Sequence, residues 1–141
     1  LGDWQVTRLR PDSARDSGFT MIELVVVMTL IVILASMSLT QYRSSVTFAK
    51  EATLKEDLFR MRDAIDQYYA DKGQYPSTID ALVSDGYLRR VPDDPFTKSS
   101  STWQTTPAEP DANNPTAEAG VYDVKSGSDA SALDGTKYAD W

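Results

Sequence analysis

The pattern of apolar and polar positions changes character twice along the chain. From Phe19 to Leu39 the side chains are Phe, Met, Ile, Leu, Val and Ala with scattered Thr and Ser, and Glu23 is the one charge. At 1.5 Å rise per residue, about 20 such residues cover a hydrocarbon core of about 30 Å. The run therefore predicts a membrane-spanning helix. Behind it, Gln41-Tyr42-Arg43 opens a charged stretch with no Gly or Pro before Gly73. Within that stretch Leu54, Leu58, Met61, Ile65 and Tyr68 recur at steps of three and four, one face of an amphipathic helix. Glu51 with Lys55, and Glu56 with Arg60, read as acid-before-base pairs one turn apart. Gly73 supplies a left-handed cap, with Pro76 just beyond. One continuous helix from Phe19 to Lys72, about 80 Å long at 1.5 Å per residue, is expected. The alternative is two helices broken near 41–45, where no helix breaker stands.

Beyond Gly73 the elements become short. Ser77 or Thr78 can cap a second helix whose apolar face is Ile79, Leu82 and Val83 and which ends near Asp85-Gly86. The stretch from Tyr87 to Phe96 contains Pro92 and Pro95. It reads as an irregular crossing anchored by Tyr87, Leu88, Val91 and Phe96. One strand is expected around Trp103, a long loop over 106–119 where Pro107, Pro110 and Pro115 oppose regular pairing, and a strand over 120–126. The predicted class is α+β: a long N-terminal helix, apolar in its first half, whose amphipathic half packs on a small two- or three-stranded antiparallel sheet, followed by an acidic C-terminal loop. Tyr138 and Trp141 are expected to fold back over that sheet.

Composition narrows the chemistry. With 141 residues there is room for about one domain. The net charge of -7 argues against a nucleic-acid partner, which calls for a basic stripe. The chain contains no Cys and no His, so disulfides and the commonest general base are both missing. No phosphate loop, dinucleotide fingerprint or nucleophile elbow occurs, and no enzymatic activity is expected. Asp93-Asp94 before Pro95 reads as turn chemistry rather than a paired-carboxylate acid and base. Tyr68, Tyr69, Tyr75 and Tyr87 read as packing aromatics. Arg8, Arg10 and Arg15 precede the apolar run and point to a cytoplasmic N-terminus by the positive-inside rule. The start on Leu1 in place of Met is expected to reflect a start that is missing or misassigned.

Gly18-Phe19-Thr20-Met21-Ile22-Glu23-Leu24, followed by the apolar helix, resembles the N-terminus of the type IV pilin and type II secretion pseudopilin superfamily. The segment from Ala64 to Pro76, with Leu82-Val83, Gly86-Tyr87-Leu88 and Asp94-Pro95, is similar to the major pseudopilin branch of type II secretion. The resemblance implies cleavage between Gly18 and Phe19 by a membrane prepilin peptidase and N-methylation of Phe19. It implies a discarded leader at 1–18, a transmembrane and filament-core helix at 19–41, and a soluble domain at 42–141. The physical reading agrees with it. The new Phe19 amine is a cation one turn from Glu23, and in a staggered array of parallel helices Glu23 can meet the amine of a neighbour. Alternatively Glu23 only marks the membrane interface.

The C-terminal stretch from Ser126 to Trp141 holds Asp129, Asp134 and Asp140 in a loop with two glycines. Ca2+ takes six to eight hard oxygens in flexible geometry. The loop resembles the C-terminal Ca2+ loop of major pseudopilins, although it is shorter and lacks EF-hand spacing. That resemblance implies Asp129, Asp134 and Asp140 as ligands, with Leu133 giving a backbone carbonyl. The alternative is a solvated acidic tail with an Asp134-Gly135 turn.

Two functions follow. In one, the chain is a structural subunit of a type II secretion pseudopilus, anchored once in the bacterial inner membrane with its C-terminal domain in the periplasm. It polymerises as a helical homo-oligomer that supports export of folded proteins. Its implied partners are the prepilin peptidase, the inner-membrane assembly platform, minor pseudopilins and membrane lipid. A pilin of an adhesive or motile surface fibre is the variant of that reading. In the other, the chain is an anchored calcium-binding module that does not polymerise.

Overall fold

The computed structural model describes residues 1–2, 18–110, 112–116 and 118–141. The leader assigned to 1–18, with Arg8, Arg10 and Arg15, lies outside the described residues except for Leu1, Gly2 and Gly18. The described chain forms two compact units, Leu1–Leu39 and Thr40–Trp141. Helix α1 (Met21–Lys72) contributes to both and runs without a break through 41–45, as expected of a stretch without Gly or Pro.

In the first unit Thr20 caps α1. Its hydroxyl accepts the Glu23 N–H at 3.2 Å, and its carbonyl accepts the Leu24 N–H at 3.1 Å. The helix therefore begins two residues later than predicted. Every apolar side chain from Met21 to Leu39 is exposed within the chain. The hydroxyls in this run are satisfied locally: Thr29 donates to the Val25 carbonyl at 2.7 Å and Ser36 to the Val32 carbonyl at 2.8 Å. Back-bonding of this kind leaves an outer surface that asks nothing of water.

The second unit is built on the amphipathic half of α1. Leu54, Leu58, Met61, Ala64, Ile65 and Tyr68 are buried against Leu82, Trp103, Val121, Val124, Ala132 and Tyr138. Gly73 ends the helix in the left-handed region, at φ 68°, and its N–H closes on the Tyr69 carbonyl at 2.8 Å. Helix α2 (Ile79–Ser84) is capped by Thr78, whose hydroxyl accepts the Ala81 N–H. Tyr87, Leu88, Val91 and Phe96 lie against the core as the irregular crossing predicts. The tyrosines pack on one another: Tyr68 on Tyr87, and Tyr75 between Tyr69 and Tyr122.

The sheet has two strands, β1 (Gln104–Pro107) and β2 (Val121–Lys125), paired antiparallel. This settles the choice between two and three strands among the described residues. Two expectations need correction. Trp103 precedes β1 rather than lying in it; its indole N–H bonds the Pro92 carbonyl at 2.7 Å. Pro107, read as opposing pairing, pairs with Val121 across an irregularity in register, while Thr106 pairs with Asp123. Tyr122 is the extra residue there and is exposed. The bulge brings both Val121 and Val124 onto the core, a spacing that strict alternation forbids. A proline is tolerated at a bulge because no ladder N–H is required of it.

A further tie was not legible in the sequence. Arg62 donates to Asp123 Oδ1 at 2.7 Å, to the Val124 carbonyl at 3.0 Å and to the Trp141 backbone oxygen at 2.7 Å. One guanidinium thus joins α1, β2 and the C-terminal segment.

Candidate functional site: the first turn of α1 and the C-terminal loop

Glu23 occupies the first turn of α1. Thr20 at the cap and Glu23 three positions later match the spacing of a capping box. That local role favours a carboxylate here, since the unsatisfied N–H groups of a helix start attract negative charge. It went unnoticed in the sequence although Thr-x-x-Glu is its signature. The Glu23 carboxylate is exposed, and no side-chain donor bonds it among the described residues. Phe19 is 82% exposed, and Gly18 has nothing within 4 Å of where a Cβ would stand.

The C-terminal loop is ordered by its own bonds. Ser131 and Lys137 form an isolated antiparallel bridge, Ala132 N–H bonds the Thr136 carbonyl at 2.6 Å, and Gly135 turns the chain at φ 89°. Asp134 Oδ1 accepts the Thr136 N–H at 2.9 Å and the Thr136 hydroxyl at 2.6 Å. Those bonds hold its carboxyl below the usual range. This is the Asp-Gly turn chemistry expected of a bland tail, in a loop that is not a tail. A 3-10 turn (Tyr138–Asp140) follows. Tyr138 is buried and stacks on Phe96 at 3.9 Å between ring centroids, and Trp141 meets it edge-on at 5.1 Å.

Asp129, Asp134 and Asp140 are all exposed, and among the described residues no three acidic side chains gather in a way that could hold a metal ion. Leu133 presents its N–H to another group, Glu51 Oε1, at 2.8 Å. The three carboxylates expected as Ca2+ ligands do not form such a group among the described residues. Asp94 behaves as turn chemistry predicts, its Oδ1 accepting the Phe96 N–H at 2.9 Å. It is also fully buried, and its Oδ2 accepts the Ser126 hydroxyl at 2.5 Å, a cross-link the sequence did not disclose.

Glu51 is the residue that sequence reasoning misassigned. The four-residue spacing predicts a pair with Lys55. In the structure it is buried, and its Oε1 accepts both the Leu133 N–H and the Tyr138 hydroxyl at 2.8 Å. Lys55 instead lies 4.6 Å over the Trp141 ring. The signal was present: Glu51 stands three residues before Leu54 and seven before Leu58, on the buried stripe. Burial, and then the Glu51 carboxylate, push the Tyr138 hydroxyl from 10.0 up to about 12. The neutral phenol is therefore favoured in the folded chain. Its contribution to stability is complete below pH 10 and is lost as the pH rises through about 12. Tyr75 and Tyr87 are also raised, so a spectrophotometric tyrosinate titration is expected to show several late steps, the last of which Tyr138→Phe removes. Loss of a different, earlier step would contradict this.

Comparison with known proteins returns one family model and several relatives of one name. The family model for the prokaryotic N-terminal methylation motif matches residues 13–39, which include Gly18, Phe19 and Glu23. The chain is 36% identical over 98 residues to the type II secretion system core protein G of Pseudomonas aeruginosa, covering 58% of this chain and 69% of that protein. It is 32% identical over 98 residues to the proteins of the same name from Aeromonas hydrophila and Klebsiella pneumoniae, covering 68% and 70% of them. No solved structure matches.

Proposed function

The chain belongs to the family of the type II secretion system core protein G, the major pseudopilins, and from that premise we propose how it is processed and assembled. It is a structural subunit of a type II secretion pseudopilus, anchored in the inner membrane by its N-terminal apolar helix. A prepilin peptidase cuts between Gly18 and Phe19, and the new Phe19 amine is methylated. The chain then polymerises with its apolar helices side by side and its C-terminal domain in the periplasm, supporting export of folded proteins across the outer membrane. An assembly platform and minor pseudopilins are the partners this requires. The relatives are structural subunits, and no catalytic role is proposed.

The observation that carries the reading is the first unit itself. A whole helical surface is apolar and uncovered within the chain, and it bears one carboxylate in its first turn. A carboxylate near the membrane costs up to about 2.5–3.5 kcal/mol unless it is matched. A cationic amine one helical turn away, on the same chain or a neighbour, is a suitable match. Between parallel staggered subunits that pairing fixes register, and heterologous contacts that do not close give an open helical array.

Electron microscopy of cells overproducing the chain tests the reading. Filaments are expected when the secretion ATPase and assembly platform are present and not when they are missing. Processed subunits that never form filaments with the full machinery would favour the non-polymerising anchored module. Long surface fibres formed without the secretion components would favour the pilus variant.

A further inference from the structure

We propose that the C-terminal loop of this chain is fastened to α1 by the Glu51 carboxylate, in the role that a divalent cation would otherwise fill, and that it folds without Ca2+. A Ca2+ loop turns oxygens inward so that the ion cross-links them. This loop does the opposite. It turns two donors, the Leu133 N–H and the Tyr138 O–H, onto one point, and an anion supplied by the helix occupies that point. A cation placed among those hydrogens would meet the wrong polarity.

The surroundings have the same sign. A cavity of about 240 Å3 between α1 and the loop is lined by Lys55 and Arg62 together with Leu58, Asp134, Thr136 and Trp141. Lys55 lies over the Trp141 ring, and Arg62 donates to the Trp141 backbone oxygen. Arg62 is already paired with Asp123, and Lys55 adds positive charge at this face. Asp134, which also lines this cavity, already accepts both donors of Thr136, whose hydroxyl in turn accepts the Trp141 indole N–H at 2.8 Å. Among the described residues no buried side-chain nitrogen or oxygen is left without a partner for an ion to satisfy. Every residue in the tie belongs to the second unit.

The test uses the full chain in detergent micelles, followed by near-ultraviolet circular dichroism on heating, with CaCl2 or with a calcium chelator. The two melting curves are expected to superimpose, and calorimetric titration with CaCl2 is expected to give no saturable heat. Glu51→Ala is expected to lower the midpoint by about 15–30 °C, from two lost hydrogen bonds to a charged group in a domain of this size. It should also open the loop to limited proteolysis. Glu51→Gln, which keeps an acceptor oxygen, should lose less, and Tyr138→Phe, which keeps the ring on Phe96, should lose about half as much. These two variants carry the test if Glu51→Ala does not fold. A midpoint raised by CaCl2 and lowered by the chelator would overturn the proposal. So would Glu51→Gln and Tyr138→Phe melting like the wild type.

Discussion

Glu23→Ala is expected to leave cells with processed, membrane-anchored subunits and almost no filaments. The proposed cut precedes Phe19, four residues away, so cleavage should proceed at its normal level. Assembly should not. On the proposed pairing, the alanine removes the partner of a neighbouring Phe19 amine and leaves that cation near lipid, at up to about 2.5–3.5 kcal/mol for each subunit added, with less towards the membrane edge. At 1.4 kcal/mol per factor of ten, the association constant per subunit falls roughly 10- to 100-fold. A linear polymer compounds that loss at every step. Counting filaments by electron microscopy, with the processed band quantified by immunoblot, separates assembly from cleavage. If Glu23 served only to mark the membrane interface or to cap the helix, filament number would hold and only the depth or the first turn of α1 would change. Glu23→Gln sharpens the distinction, because it preserves size and most of the capping chemistry while removing the charge.

The second large effect is expected at Gly127. Its φ is not in the left-handed region, so backbone freedom is not what requires glycine. Space is: a Cβ there would overlap the Thr102 carbonyl, with the Thr102 Cβ at 3.0 Å. The neighbours cannot give way cheaply. Ser126 is fully buried and donates to buried Asp94, and its hydroxyl also accepts the Ser128 N–H at 3.2 Å. Moving this backbone outward strips Asp94 of its hydroxyl donor. Overpacking together with a disturbed buried carboxylate gives about 2–4 kcal/mol of destabilisation for Gly127→Ala, a fall of roughly 10–20 °C in melting temperature for a domain of this size. Gly73→Ala is the contrast. No atom lies within 4 Å there and only the φ of 68° objects, so about 1 kcal/mol is expected. Equal melting temperatures for the two variants would show that the close approach at Thr102 is not what constrains this loop.

How much of this was legible follows from the range of each interaction. The stripe from Leu54 to Tyr68 and the caps at Gly73 and Thr78 depend on neighbours within a turn or two, and periodicity and cap chemistry reveal them. The first turn of α1 carries the motif that the comparisons match. Interactions between residues far apart in sequence leave weaker traces. Arg62 reaches Asp123 and Trp141 across 61 and 79 positions, and nothing beside it indicates those partners. Glu51 was read with Lys55 because acid-before-base spacing is a local rule, whereas its burial is set by Leu133 and Tyr138 more than 80 residues away. The Asp residues of the loop invited a metal because composition records carboxylates without their directions. Pro107 was counted against a strand because the bulge opposite Tyr122 depends on how two distant segments register.

Proposed assembly requires the apolar helix to be released from its polar leader so that it can lie beside copies of itself. Mass spectrometry of the chain recovered from membranes of the producing cell tests this most directly. The predicted N-terminal peptide begins at Phe19 and carries one methyl group on its amine. Recovery of the stable protein with Gly18 still joined to Phe19 would contradict it.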